Sequence, residues 1–204
     1  MLRRLGATLV DPVVVPKRAA LEDAELEVLL FELEADMATY LATRSEQPLR
    51  TLADLVRFNQ AHAAEEMRWF GQSLFEQAAA KAGLDSPEYA AALATCRKLS
   101  RDEGIDLAIS QHRLDAFVAP TGGAAWVTDL VNGDSYSGSV STLPAIAGYP
   151  HITVPCGQVQ GLPLGVSFFA GANQDATVLR LAYAFEQATK HRARPRFLPT
   201  LPLP

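Results

Sequence analysis

The sequence predicts an α/β protein in which a β-sheet is covered by helices. Three observations carry this. Residues 115–119, 152–155 and 164–170 are short apolar runs rich in Val, Ile or Phe and bounded by Gly or Pro, the pattern of buried strands. Gly157, Gly161 and Pro163 punctuate the chain between the second and third runs, so those two pair as a hairpin. Between residues 21 and 112 and after residue 174, apolar side chains recur at helical rather than strand spacing.

Taken in order, residues 2–6 read as the end of a helix stopped by Gly6. Such a beginning fits a short helix or a disordered tail, or a chain cut from a longer parent. Residues 8–15 read as a strand, with Pro12 confining it to an edge or bulge. Residues 21–40 form the clearest helix, its stripe being Leu26, Leu29, Leu30, Leu33, Met37, Tyr40 and Leu41, with acidic residues on the solvated faces. After a linker at 45–50, Thr51 and Asp54 form a capping box. It opens a helix that runs through His62, Glu65 and Glu66 into 69–81, with Gly83 as its stop. Ser86 caps the next helix and Pro87 occupies its first turn. That helix extends to about His112, weakened or bent at Gly104.

The strand at 115–119 leads into a Gly- and Ser-rich loop at 120–139, a length that inside a compact domain marks a functional segment. A short helix at 140–148 ends at Gly148 and Pro150. Asn173, Gln174 and Asp175 cap a last helix running to about His191, with Leu179, Ala182, Tyr183 and Glu186 at helical spacing. Lys190, His191, Arg192 and Arg194 gather at its negative dipole end, and a proline-rich tail at 194–204 should be extended.

The 204 residues, 49% hydrophobic and 20% charged, suffice for one or two domains with a real core. Eighteen basic against 23 acidic residues leave no basic stripe, which argues against a nucleic-acid partner. No apolar run approaches the roughly 20 residues of a membrane span, and the first residues lack the apolar core of a signal peptide. Cys96 and Cys156 make no metal-type spacing and read as reduced thiols, so the expected compartment is cytoplasmic. His62 and Glu66 share a helix face, but two residues fall short of the three or four ligands a metal needs, and no cofactor is expected.

The run Ala147-Gly148-Tyr149-Pro150-His151-Ile152-Thr153-Val154-Pro155-Cys156-Gly157 is followed by Gly161-Leu162-Pro163-Leu164-Gly165-Val166-Ser167-Phe168-Phe169 and then by LRLAYAFEQA at 179–188. Together, in this order, they resemble the C-terminal part of the amidase signature family. The resemblance extends from residues 5–7 to 197–199 and includes the TLADL…FN segment at 51–59. It implies hydrolysis of amide C–N bonds by a Ser–cis-Ser–Lys triad, and a partial amidase signature fold in which strands of both halves belong to one mixed β-sheet covered by helices. It further implies that residues 1–204 are the C-terminal portion of an amidase signature domain, the N-terminal catalytic half being absent. The C-terminal portion then supplies a substrate-facing wall, for which position selects Trp126, Asp134, Ser137, Gly138 and Ser139.

The triad itself is not legible. A serine is a weak nucleophile until a positioned base takes its proton, yet no lysine precedes a GGSSGGS-type segment, and Ser135, Ser137, Ser139 and Ser141 match no nucleophile motif. Cys156 and His151 are five residues apart on a strand, which spans roughly 16 Å and puts them on opposite faces. Trp126 either lines a pocket or pins its loop to the core. The chain alone is therefore expected to be inactive, its partners being a small amide substrate in the full-length parent and the missing half. Split sheets expose edges, so self-association into a homo-oligomer is expected too, chiefly through the hairpin at 152–170. The stretch Ser141-Thr142-Leu143-Pro144-Ala145 departs from that of members that hydrolyse glutamine in transamidation. Two other readings stay open: a non-catalytic binding or assembly module, and a small hydrolase using Ser139 or Cys156.

Overall fold

A computed structural model describes residues 1–15, 18–44 and 46–197. The chain divides into two compact units, one of residues 17–96 and the other of residues 1–16 with 97–204.

The first unit is helical: α1 (Arg18–Ala42), α2 (Leu52–Ala61), α3 (Ala63–Glu66), α4 (Ser73–Ala79) and most of α5 (Pro87–Arg97). Leu30 of α1 packs on Leu52 of α2 and Ala78 of α4, with Leu33, Met37, Leu55 and Phe75 around them. Phe31 tilts against Tyr89 of α5 at 5.7 Å between ring centres. Leu26, Leu29 and Tyr40, expected in the buried stripe, are exposed instead. The helix is flanked on two sides, so Leu21, Ala24 and Phe31 are buried as well as Leu30 and Leu41, and the leucines outside those two sides face water.

The capping box forms as expected. Thr51 N donates to Asp54 Oδ2 at 2.9 Å, and Asp54 N donates to Thr51 Oγ1 at 3.1 Å. The single helix expected from Thr51 to Lys81 does not. It breaks at His62, whose φ of −114° leaves the helical range, and again after Glu66. The side chain of Gln72 fastens the second break: its amide donates to Val56 O at 3.1 Å and its carbonyl accepts from Asn59 Nδ2 at 3.0 Å. These bonds tie Gln72 back to α2 across 13 and 16 residues, so a contact distant in sequence outweighs continuation of the helix. Lys81 Nζ meets Glu27 Oε2 at 2.6 Å and lies 5.1 Å from the centre of the Phe31 ring.

The second unit is built on a three-stranded antiparallel sheet in the order β1 (Phe117–Pro120), β3 (Leu162–Phe169), β2 (His151–Val159). Gln160 and Gly161, with φ of 50° and 79°, close the expected hairpin in two residues, the twist-compatible turn for antiparallel strands. β2 and β3 are longer than their apolar runs, whereas β1 is shorter and starts at Phe117 rather than at residue 115. Beyond Pro155 the pairing shifts by one residue, so that Gly157 faces Leu164 and Cys156 is the extra residue of a bulge. One sheet face, through Val154 and Phe168, packs on Ala182 and Phe185 of α8 (Asp175–Thr189), with Leu2, Ile152, Cys156, Val166 and Leu181 at its margin. Burying a side chain such as Phe168 contributes about 1.5–3 kcal/mol. The other face carries the stacked rings of Phe117 and Phe169, 4.7 Å apart, against Ile105 and Ala147.

Sequence and structure differ at three places here. Residues 8–15 form no strand: Leu9, Val10 and Val14 are exposed, and Pro12 lacks the N–H a ladder needs. In α8, Leu179 and Tyr183 face water while Val178, Ala182 and Phe185 are buried. Two overlapping stripes compete, and the one containing the Tyr183 hydroxyl and Glu186 carboxylate would bury polar atoms. The long helix expected from Ser86 to His112 is α5, a π-helical turn (Lys98–Ile105) and α6 (Asp106–His112), kinked at Gly104 with φ −115° and ψ −107°. Ser86 caps α5 as expected, its Oγ accepting from Tyr89 N at 3.2 Å. The extended tail falls outside the described residues from 198 onward, as does Ser45 of the linker.

The π-helical turn is anchored by Arg101, whose Nε donates to Ala147 O at 2.8 Å and whose guanidinium lies 5.6 Å from the centre of the Tyr149 ring. Tyr149 donates its hydroxyl to Asp106 Oδ2 at 2.8 Å. Burial, then that hydrogen bond, pushes its pKa up to about 12. Ala147 belongs to α7 (Thr142–Ala147), which ends on left-handed Gly148, φ 66°, as the sequence indicates.

Two outcomes test these packing arguments. A Cβ at Gly104 would lie 2.5 Å from Leu99 O, a backbone atom that cannot step aside. Gly104→Ala is therefore expected to destabilise the sheet-containing unit by about 1–3 kcal/mol, read as a lowered urea midpoint; an unchanged midpoint would contradict the close approach. In the helical unit, Thr51→Ala is expected to cost about 1 kcal/mol. Hydrogen bonds from Arg50 N, then from Thr51, hold the Asp54 carboxyl below its usual value of 3.8. Its contribution is thus present above that value and lost as pH falls through the depressed one. Acid titration of helicity from about pH 5 to about pH 2 should be shallower in Asp54→Asn than in the unsubstituted chain.

Candidate functional site

The loop between β1 and α7 is rooted in the sheet by one residue, Thr121. Its N–H donates to Gly165 O at 2.9 Å, extending the β1–β3 ladder by a rung, and its carbonyl accepts from Val140 N at 3.2 Å. Its hydroxyl lies 2.8 Å from Ser167 Oγ and 2.6 Å from Thr153 Oγ1, and Thr153 Oγ1 donates to Val166 O at 3.4 Å. With one proton per hydroxyl, these distances are satisfied by a directed chain from Ser167 to Thr121 to Thr153 to the Val166 carbonyl. Ser167 is fully buried, so the chain gives its hydroxyl the partner that burial demands.

From this root the two limbs of the loop run antiparallel. Gly122 bridges Ser139. Gly123 lies so close to Ser137 Oγ that a Cβ there would collide with it. Trp126 Nε1 donates to Asp134 Oδ1 at 3.1 Å, and the Trp126 and Tyr136 rings meet edge to face at 6.2 Å. At the tip, Asp129 accepts from the N–H groups of Val131 and Asn132 and from Asn132 Nδ2, all within 2.9 Å. Those bonds, led by the Asn132 backbone, hold its carboxyl below the usual range. Ser139 Oγ accepts from Ser141 N at 3.1 Å and lies 2.8 Å from Ser141 Oγ.

The expected wall residues are thus brought together in one loop. Trp126 and Asp134 form its outer rung, Ser137 and Ser139 its inner rungs, and Gly138 turns between the latter with φ 98°. Trp126 is 42% exposed: it binds its own loop rather than the core. Sequence reasoning missed the hydroxyl chain of Thr121, Thr153 and Ser167, because neither the strand register nor the first loop residue can be read from composition. It also left out Tyr136 as the ring partner of Trp126; their ten-residue separation carries no periodic signal.

The thiol and imidazole on β2 are separated as the spacing indicates. Cys156 packs at the margin of the α8 face, whereas His151 sets its ring edge-on to Phe169 at 6.1 Å, on the other face. Burial lowers the His151 pKa. Among the described residues no group of three or more His, Cys, Asp or Glu could hold a metal ion, and no helix is long and apolar enough to cross a membrane. A separate open cleft of about 680 Å³ lies beside α8, between Asp106, Asp115, Gln174, Thr177 and Arg180; it contains none of the expected residues.

No family model matches the chain. A probable amidase of Arabidopsis thaliana is 32% identical over 203 residues, covering 97% of this chain and 36% of the relative. The crystal structure of a native peptide amidase from Stenotrophomonas maltophilia is 44% identical and superposes with a TM-score of 0.86, over 96% of this chain and 39% of that one. A bacterial aryl acylamidase belonging to the amidase signature enzymes, 22% identical, shares the fold with a TM-score of 0.55 over 86% of this chain and 35% of its own. The chain thus spans a little over a third of the length of its relatives. By sequence along its length and by the fold of both units, it belongs to the amidase signature family.

Proposed function

We propose that the chain is the C-terminal part of an amidase that hydrolyses amide C–N bonds. The loop between β1 and α7 forms one wall of the substrate site, and the nucleophile, its base and the oxyanion donors come from the remainder of the polypeptide. The observation that carries this is the likeness to the peptide amidase, at an identity where the family's chemistry is the natural reading. Peptide amides are accordingly the first substrates to try.

The residues present support this division of labour. Acyl transfer needs a serine activated by a positioned base and donors aimed at the developing oxyanion. Lys81 is engaged by Glu27 and Lys98 by Glu103, while Lys190 is the left-handed cap of α8; Lys17 lies outside the described residues. The loop instead offers what a wall needs: exposed rings, a carboxylate and hydroxyls on a scaffold fixed by the sheet. Free thiols at Cys96 and Cys156 suit a reducing, cytoplasmic setting. The outer edges of β1 and β2 suit pairing, either with the rest of the enzyme or with a second copy.

The test is complementation. The chain alone, incubated with acetamide, benzamide and peptide amides, should show no turnover. Mixed or co-expressed with the complementary portion of the Stenotrophomonas maltophilia peptide amidase, it should restore amide hydrolysis. Hydrogen exchange of amides 122–139 should slow at the same time, because the complement covers the loop. Turnover by the isolated chain that disappears in Ser139→Ala or Cys156→Ala would overturn the proposal.

A further inference from the structure

We infer that Trp126, Asp134 and Tyr136 form a subsite for a positively charged group, so that the amides this site favours carry an ammonium or guanidinium. This rests on the amidase reading and names the substrate class of the same loop.

Three observations carry it. The rings are presented, not packed away: Trp126 is 42% and Tyr136 63% exposed, and the bond from Trp126 Nε1 to Asp134 Oδ1 fixes a carboxylate at the edge of the indole. A ring face beside a carboxylate is the combination that attracts a cation, through the ring quadrupole and through charge. The stretch of chain that carries the loop also bears only acidic charges. From residue 114 to residue 150 the sequence holds Asp115, Asp129 and Asp134 and no Lys, Arg or His.

The third observation is how the protein places its own cations on rings. Arg44 lies over Tyr40, Arg68 over Trp69, Lys81 over Phe31 and Arg101 over Tyr149, with the cation 4.7–5.6 Å from the ring centre. Among the described residues no such cation covers Trp126 or Tyr136. Four of the sixteen aromatic residues carry an internal cation from the described residues; what sets Trp126 and Tyr136 apart is that two exposed rings meet edge to face beside a carboxylate, with no such cation over either.

Binding to the 204-residue chain tests this without requiring turnover. The probes are N-acetylargininamide, N-acetyllysinamide, N-acetylnorleucinamide and N-acetylglutamic α-amide, blocked so that only the side chain varies in charge. The readout is the indole N–H resonance of Trp126, assigned by its loss in Trp126→Phe, with that of Trp69 as internal control because Arg68 already covers that ring. N-acetylargininamide and N-acetyllysinamide should shift the Trp126 resonance saturably, about ten-fold tighter than N-acetylnorleucinamide. Asp134→Asn and Tyr136→Leu should each weaken them about two- to five-fold, with the Trp69 resonance unmoved.

Equal shifts from the norleucine and arginine probes, no saturable shift, or binding unchanged in both variants would overturn the inference. A complemented enzyme that prefers neutral amides overturns it while leaving the amidase reading intact. Failed complementation alongside selective binding of the arginine probe overturns the amidase reading and supports the cation subsite.

Discussion

The loop that carries every candidate site residue depends on a space above Gly165 too small for a methyl group. A Cβ there would lie 2.7 Å from Thr153 Oγ1 and 2.8 Å from Thr121 Oγ1. Each of those oxygens is held in the hydroxyl chain that starts at the buried Ser167 and ends on the Val166 carbonyl. The absence of a side chain at one position of the central strand therefore lets hydroxyls from both neighbouring strands meet across it. A sheet face that would otherwise be apolar becomes a polar anchor. Because Thr121 is at once the last rung of β1 and the first residue of the loop, the geometry of the anchor is transmitted directly to Gly122 and Ser139.

This anchor explains why a segment rich in glycine and serine is ordered at its base. Such composition alone implies many accessible backbone states, and ordering each residue costs roughly 1–2 kcal/mol. The loop offsets this locally, with rung-like contacts between its limbs and an Asp129 turn at its tip. Its apolar side chains do not contribute: Val127, Leu130 and Val131 face water. Hydrogen bonds, not burial, hold this site in shape, as suits a surface that must exchange water for a ligand.

What was legible in the sequence follows from the range of the interactions involved. The three strands, the hairpin, the capping box at Thr51 and the ends of α7 are set by neighbours in the chain, and residue pattern reveals them. The buried stripes of α1 and α8 were misplaced because more than one frame fits the helical period, and the choice is made by distant elements. Gly104 reads as a weak point of one long helix, but only the Leu99 carbonyl shows that it marks a π-helical turn. Position along the chain placed Trp126, Asp134, Ser137, Gly138 and Ser139 in one loop. The distances that make them neighbours, and the ring of Tyr136 that joins them, come from antiparallel limbs that no local pattern encodes.

Those limbs have a consequence for how the site can change. Contacts run from Gly122 to Ser139, from Gly123 to Ser137 and from Trp126 to Asp134, so residue numbers across the loop sum to nearly the same value at every rung. Lengthening or shortening the tip between Trp126 and Asp134 leaves that pairing in phase, whereas a single insertion within one limb throws every rung beyond it out of step. The loop is thus built in two zones. Its base tolerates almost no variation in length, and its tip is a place where new ligand contacts can be acquired without disturbing the sheet beneath.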